Sequence, residues 1–219
     1  VAPDLHIGHA VAEGSAIDML LEMSKESTMV VMGSRGLSGI SGMVLGSVSG
    51  AVVSHASCPV VVVREDNAVT EENKYGPVVV GVDGSEVSRR ATEVAFEEAA
   101  ARGAELHAVH TWVDTQIQGP GAGYAVSEDH WKAVQAEKDE LLSSYLNELS
   151  EQYPDVVVKK AITRDRPVRA LAAAAQGAQL LVTGSHGRGG FKGMLLGSTS
   201  RALLQEAPCP MMVVRTQDL

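Results

Sequence analysis

The chain repeats itself at an offset of 151 residues, with no gap. Gly33-Ser34-Arg35-Gly36 returns as Gly184-Ser185-His186-Gly187, and Gly46-Ser47 returns as Gly197-Ser198. The same offset carries Cys58-Pro59 onto Cys209-Pro210, Arg64 onto Arg215 and, more weakly, Pro3-Asp4 onto Pro154-Asp155. A fixed offset of domain length means one fold built twice. Val1 aligns with Gln152, so the first copy is expected to lack the counterpart of Val78 through Glu151, two strands and two helices. The organisation that follows is the C-terminal part of a first domain over 1–64, a linker over 65–76 and a complete second domain over 77–219. The linker reading rests on Glu65-Asp66-Asn67 and Glu71-Glu72-Asn73-Lys74, charged runs with little to bury.

The second copy can be read through. Val78-Val79-Val80-Gly81-Val82 is a short β-branched run ending in Asp83-Gly84-Ser85, which predicts a buried strand passing into a turn. Residues 88–102, rich in Ala and Glu and followed by Gly103, predict a helix with a glycine stop. The pattern then predicts strands at 106–113, 156–161, 180–183 and 210–215, and helices at 127–152, 167–176 and 198–206, with a loop at 118–123. Continuous apolar strands alternating with helices make an α/β fold, a doubly wound, Rossmann-like parallel sheet of five strands covered on both faces. Such sheets bind ligands at the carboxyl ends of their strands, where Asp83 and Gly184 both fall. Without a central first strand, residues 1–64 are not expected to form a sheet of their own.

Composition narrows the function. With 45% hydrophobic and 21% charged residues the chain can bury a core, which excludes disorder. No apolar run approaches the 18 or so residues of a membrane span, and the first residues lack the order of a signal peptide, so a cytoplasmic protein without membrane contact is expected. A net charge of −9 repels phosphate backbones, so nucleic acid is not an expected partner. Two cysteines, Cys58 and Cys209, are too few for a disulfide scaffold. They are read as small core residues. His107 and His110, three apart on one strand, point to opposite faces and cannot jointly clasp a metal.

The chemistry sits in Gly184-x-x-Gly187, nine residues, Gly197-Ser198, and in its partner Gly33-x-x-Gly36, nine residues, Gly46-Ser47. Gly184 and Gly187 follow a strand and let backbone amides approach an anion. Gly197 and Ser198 open a helix whose unpaired N–H groups favour phosphate, with the Ser198 hydroxyl free to cap the helix or bond a phosphate oxygen. Neither a P-loop nor a dinucleotide fingerprint fits, since no Gly-Lys-Ser or Gly-Lys-Thr follows and the loop comes after the fourth strand. The plain alternatives are a packing turn for the loop, a turn residue for Asp83, and solvated charges for Arg35, His186, Arg188 and Lys192.

Taken with Val-Gly-Val-Asp-Gly-Ser at 80–85 and the Cys-Pro-apolar strand closing each copy, these loops make the chain resemble the universal stress protein family in tandem form. The resemblance implies a five-stranded parallel fold, pairing as a homodimer or between tandem copies through the terminal strands, and ATP binding. It assigns Asp83 to ribose and phosphate, Gly184, Gly187, Gly197 and Ser198 to the triphosphate, and the backbone of 110–113 to the adenine edge. Mg²⁺ is expected with the nucleotide, as a hard cation held by phosphates and Asp83. Gly33, Gly36, Gly46 and Ser47 match the same loop in the first copy, which has no counterpart of Asp83. The function implied is a nucleotide-dependent regulatory module of the stress response. The rivals are a slow ATPase or nucleotide-cleaving enzyme, and an interaction module without nucleotide.

Overall fold

The computed structural model describes residues 5–35, 45–112, 128–187 and 195–216, with the backbone alone for 128–131. Gly36, Val113, the loop at 118–123, the Trp131 side chain, Arg188 and Lys192 lie outside the described residues. The elements in order are α1 (Ala16–Ser24), β1 (Val30–Gly33), α2 (Ser47–His55), β2 (Val60–Val63), β3 (Val78–Gly81), α3 (Glu86–Arg102), β4 (Leu106–Thr111), α4 (Glu128–Gln152), β5 (Val158–Thr163), α5 (Pro167–Ala174), β6 (Leu180–Gly184), α6 (Ser198–Glu206) and β7 (Met211–Val214).

The strands form one sheet in the order β1-β2-β7-β6-β3-β4-β5. The five strands of the second copy are parallel to one another, as the sequence predicts. Two strands from the first copy extend this sheet. β2 joins β7 antiparallel, with Val60 opposite Val213, Val61 opposite Met212 and Val62 opposite Met211. β1 then pairs parallel to β2 and forms the sheet edge.

Both faces of the sheet are buried at β2, β7, β6 and β3, which is why those strands are largely apolar, whereas the edge strands β1 and β5 are partly exposed. On one face Val60, Val62, Val79, Leu181, Met211 and Val213 pack with residues of α2, α5 and α6. On the other, Val61, Val78, Val80, Val182, Met212 and Val214 pack with Phe96 of α3 and with Leu142 and Leu146 of α4. The last strand of each copy therefore contributes to both core clusters, one on each face.

Local chemistry sets the ends of the elements. Ser85 caps α3 by accepting the Ser88 N–H at 3.2 Å, and Gly103 ends the helix in the left-handed conformation at φ 58°. Pro167 occupies the first turn of α5, where its missing N–H is harmless. The third strand of the second copy starts at Val158 and not at Val156. Val156 is held in the turn leaving α4, its N–H bonded to Tyr153 O at 3.1 Å, and the ladder with β4 opens at Leu106 opposite Val158.

The two copies are also tied through side chains. Arg64, only 10% exposed, donates to Leu204 O at 3.2 Å and Ala207 O at 2.8 Å, and Asp66 receives its Nε at 2.9 Å. Asn67 donates to Ala207 O at 3.2 Å and Cys209 O at 2.8 Å. Carbonyls left unpaired at the C-terminal end of α6 are thus capped from the segment that follows β2. Among the described residues no helix is long and apolar enough to cross a membrane.

Candidate functional site

A cavity of about 440 Å³ opens at the carboxyl ends of β3, β4 and β6. Its size is that of a small-molecule pocket. Asp83, Gly184, Gly187, Gly197 and Ser198, far apart in sequence, all line it. Its apolar wall is Gly81, Val82, Val109, Pro167 and Leu171, and its hydroxyl-bearing residues include Ser88, Thr111, Thr183, Thr199 and Ser200.

Three of the hydrogen bonds among the described residues set the two ends of the loop after β6. Ser185 N–H donates to Val214 O at 2.7 Å, and Gly197 N–H donates to Ser185 O at 2.7 Å, closing the far end. Ser200 Oγ then donates to Gly184 O at 2.6 Å, which pins the first turn of α6 against the end of β6. Sequence reasoning missed Ser200. The repeat carried the signal, because Ser49 lies at the same offset and donates to Gly33 O at 2.9 Å.

The cap of α6 is Gly197, not Ser198, which is the first helical residue. Gly197 has no side chain to cap with, so no side-chain bond closes this end. The first three helical amides, at Ser198, Thr199 and Ser200, have no acceptor within the helix, and all three residues line the cavity. Partial positive charge at this helix end therefore faces the cavity.

Asp83 stands across from the loop. Its Oδ1 accepts the Ser85 N–H at 2.9 Å and the Ser85 hydroxyl at 2.7 Å, so the carboxylate holds the turn into α3. Its own N–H donates to Ser88 Oγ at 3.0 Å. The other oxygen, Oδ2, lies against Gly187 so closely that a side chain there would collide with it. Asp83 is thus both the turn residue of the plain alternative and a wall of the cavity. One carboxylate facing open helix amides is a donor set that suits Mg²⁺, which takes one or two carboxylates and fills its remaining positions with water and phosphate oxygens.

Of the remaining candidates, Thr111, at the end of β4, and His186 also line the cavity, whereas His110 is buried with Nδ1 2.7 Å from Val82 O. A carbonyl only accepts, so that nitrogen carries the proton. His107 turns to Glu105 at 3.2 Å, and no group of three or more His, Cys, Asp or Glu among the described residues is placed to hold a metal. His186 bonds Ser185 Oγ at 3.0 Å. Arg35 reaches Glu65 at 3.7 Å, an exposed pair. Cys58 and Cys209 are buried free thiols; burial raises the pKa of both and pushes Cys209 up to about 12, which keeps it from acting as a thiolate.

In the first copy the same bonds recur, Ser34 N–H to Val63 O at 2.9 Å and Gly46 N–H to Ser34 O at 2.8 Å. Gly33, Gly46 and Ser47 are placed as their counterparts are. β1 is the sheet edge, so among the described residues no strand stands where β3 stands beside β6.

The universal stress protein family model matches residues 2–64 and 74–215. The chain belongs to the universal stress protein family. A universal stress protein of Mycobacterium tuberculosis strain H37Rv is 46% identical over 200 residues, covering 91% of this chain and 65% of that protein. One from Mycobacterium bovis is 43% identical over 206 residues, covering 94% and 64%. This family member thus spans somewhat under two thirds of the length of those relatives. The crystal structure of a universal stress protein from Archaeoglobus fulgidus superposes with a TM-score of 0.60 at 26% identity, over 92% of this chain and 66% of that one. The UspA protein from Lactobacillus plantarum, at 21% identity and TM-score 0.54, shares the fold over 64% of this chain and 98% of its own.

Proposed function

We propose that this universal stress protein is a cytoplasmic regulatory module that binds Mg-ATP in the cavity of its second copy. One observation carries the reading. The uncapped N-terminus of α6 opens three amides onto the same cavity that Asp83 walls from the opposite side, beside an apolar wall formed by Val109, Pro167 and Leu171. Phosphates suit the first, a metal ion suits the second, and a flat base suits the third. Both the Gly-Ser loop and Asp83, singled out from the sequence for nucleotide and metal, meet here.

Regulation fits better than catalysis. The titratable side chains on the described wall are Asp83, which holds the turn into α3, and His186, which bonds Ser185. Both side chains are engaged with serines of the two turns, so they are read as holding the walls of the site, and turnover is expected to be slow. Occupancy would instead be read out through changes in pairing with other chains in the stress response.

Calorimetric titration of Mg-ATP tests this. The intact chain is expected to bind, and the double variant Gly187→Val with Gly197→Val, confirmed folded by circular dichroism, is expected to lose about a hundredfold in affinity or more, about 2.7 kcal/mol. A folded intact chain that takes up no nucleotide would overturn the reading and leave an interaction module. Rapid release of phosphate would favour the enzyme.

A further inference from the structure

Thr183 is the residue of the cavity that nothing so far has used. It lies next to the end of β6, is 5% exposed and lines the cavity, yet its hydroxyl has no hydrogen-bond partner among the described residues. Neighbouring hydroxyls are engaged: Ser200 Oγ donates to Gly184 O, Ser88 Oγ accepts the Asp83 N–H, and Ser185 Oγ bonds His186. A buried hydroxyl left unpaired destabilises the fold, and valine would fill the same space without that cost. The repeat sharpens the point, because the equivalent position of the first copy is Met32, which has no hydroxyl. The polar atom is present in the copy that has a cavity.

Its position indicates what it meets. On one side of β6 stands β3, whose carboxyl end leads to Asp83, and on the other stands β7. Gly184 follows it directly, and the amides of α6 open onto the same space. A nucleotide with its phosphates at α6 and its base against Val109 and Leu171 would bring the sugar-phosphate junction over this residue. Resting on the nucleotide reading above, we infer that Thr183 is a specificity-determining residue whose hydroxyl donates a hydrogen bond to the phosphate attached directly to the sugar. The site then selects phosphorylated nucleosides of any phosphate number over the bare nucleoside.

The experiment titrates Mg-ATP, AMP and adenosine into the intact chain, Thr183→Val and Thr183→Ser. Thr183→Val is expected to weaken ATP and AMP by a similar factor of about five to ten and to leave adenosine unchanged, while Thr183→Ser keeps the wild-type affinities. The ligand-free Thr183→Val protein is expected to melt at the same temperature as the wild type or higher, which a structural role for the hydroxyl would not produce. ATP affinity within about twofold of wild type in Thr183→Val would overturn the assignment. So would an equal loss for adenosine, which would place the hydroxyl on sugar or base, or a lower melting temperature. An intact chain that binds none of the three would sink the nucleotide reading itself, whereas binding that ignores Thr183→Val would sink the role of Thr183 alone.

Discussion

A methyl group built on Gly33 would meet nothing nearer than Arg35 O at 3.5 Å, whereas on Gly184 it would come within 2.9 Å of Val87 Cγ1. At Gly46 the nearest atom is Ser34 O at 3.4 Å, and at Gly197 it is Ser185 O at 3.2 Å. The two loops thus share their backbone bonds and differ in their surroundings. The turn from β3 into α3 brings Val87 against Gly184 and Asp83 against Gly187, and no described element does the same beside β1. Two separate causes follow. The backbone bonds and the serine at 49 or 200 shape the loop, while the opposing turn makes it one wall of a cavity. Close packing therefore accounts for glycine at 184 and 187 before any ligand arrives, but not at 33 and 46.

The sharpest test of this contrast mirrors the loop variants. Gly33→Val with Gly46→Val is expected to leave the Mg-ATP affinity of the intact chain within about twofold, against the hundredfold or greater loss from the second-copy pair. Equal losses in calorimetry would mean that the first loop also takes part in binding. The next contrast concerns the equivalent arginines. Arg64→Ala removes a nearly buried guanidinium from two carbonyls at the end of α6 and is expected to cost about 2 kcal/mol in urea unfolding. Arg215→Ala, which removes a solvent-exposed bond to Leu195 O at 3.1 Å, should cost about 0.5 kcal/mol. Similar costs for both would break the asymmetry. The smallest effect concerns the loop serines, where Ser49→Ala and Ser200→Ala should each cost about 1 kcal/mol, because each removes an equivalent bond to a glycine carbonyl. Only Ser200→Ala should also weaken Mg-ATP, by about threefold. A clear difference between their stabilities would show that the loops are not built alike.

Much of this was legible before any coordinates. Val78 to Gly81 and Leu180 to Gly184 are apolar and β-branched because both faces of the sheet are covered, and that pattern is local. Asp83 and the glycines stood out because the repeat marked one loop and a strand end marked the other. Thr183 and the Val109-Pro167-Leu171 wall did not, since β4, α5 and β6 meet only after strands distant in sequence have paired. The reach of Arg64 to α6 was hidden for the same reason, as it spans 140 residues to Leu204. Ser198 was misjudged as a possible cap because a serine after glycine invites that reading, whereas the extended backbone of Gly197, at φ −66° and ψ 155°, already serves as the cap.

The antiparallel join between β2 and β7 also fixes direction. β1 runs with β2, and β6 runs with β7, so β1 and β6 point opposite ways. The strand ends at Gly33 and Gly184 therefore lie on opposite sides of the sheet's middle. A chain joined in this way is bipolar in its sheet, with the carboxyl ends of β1 and β6 set at opposite rims.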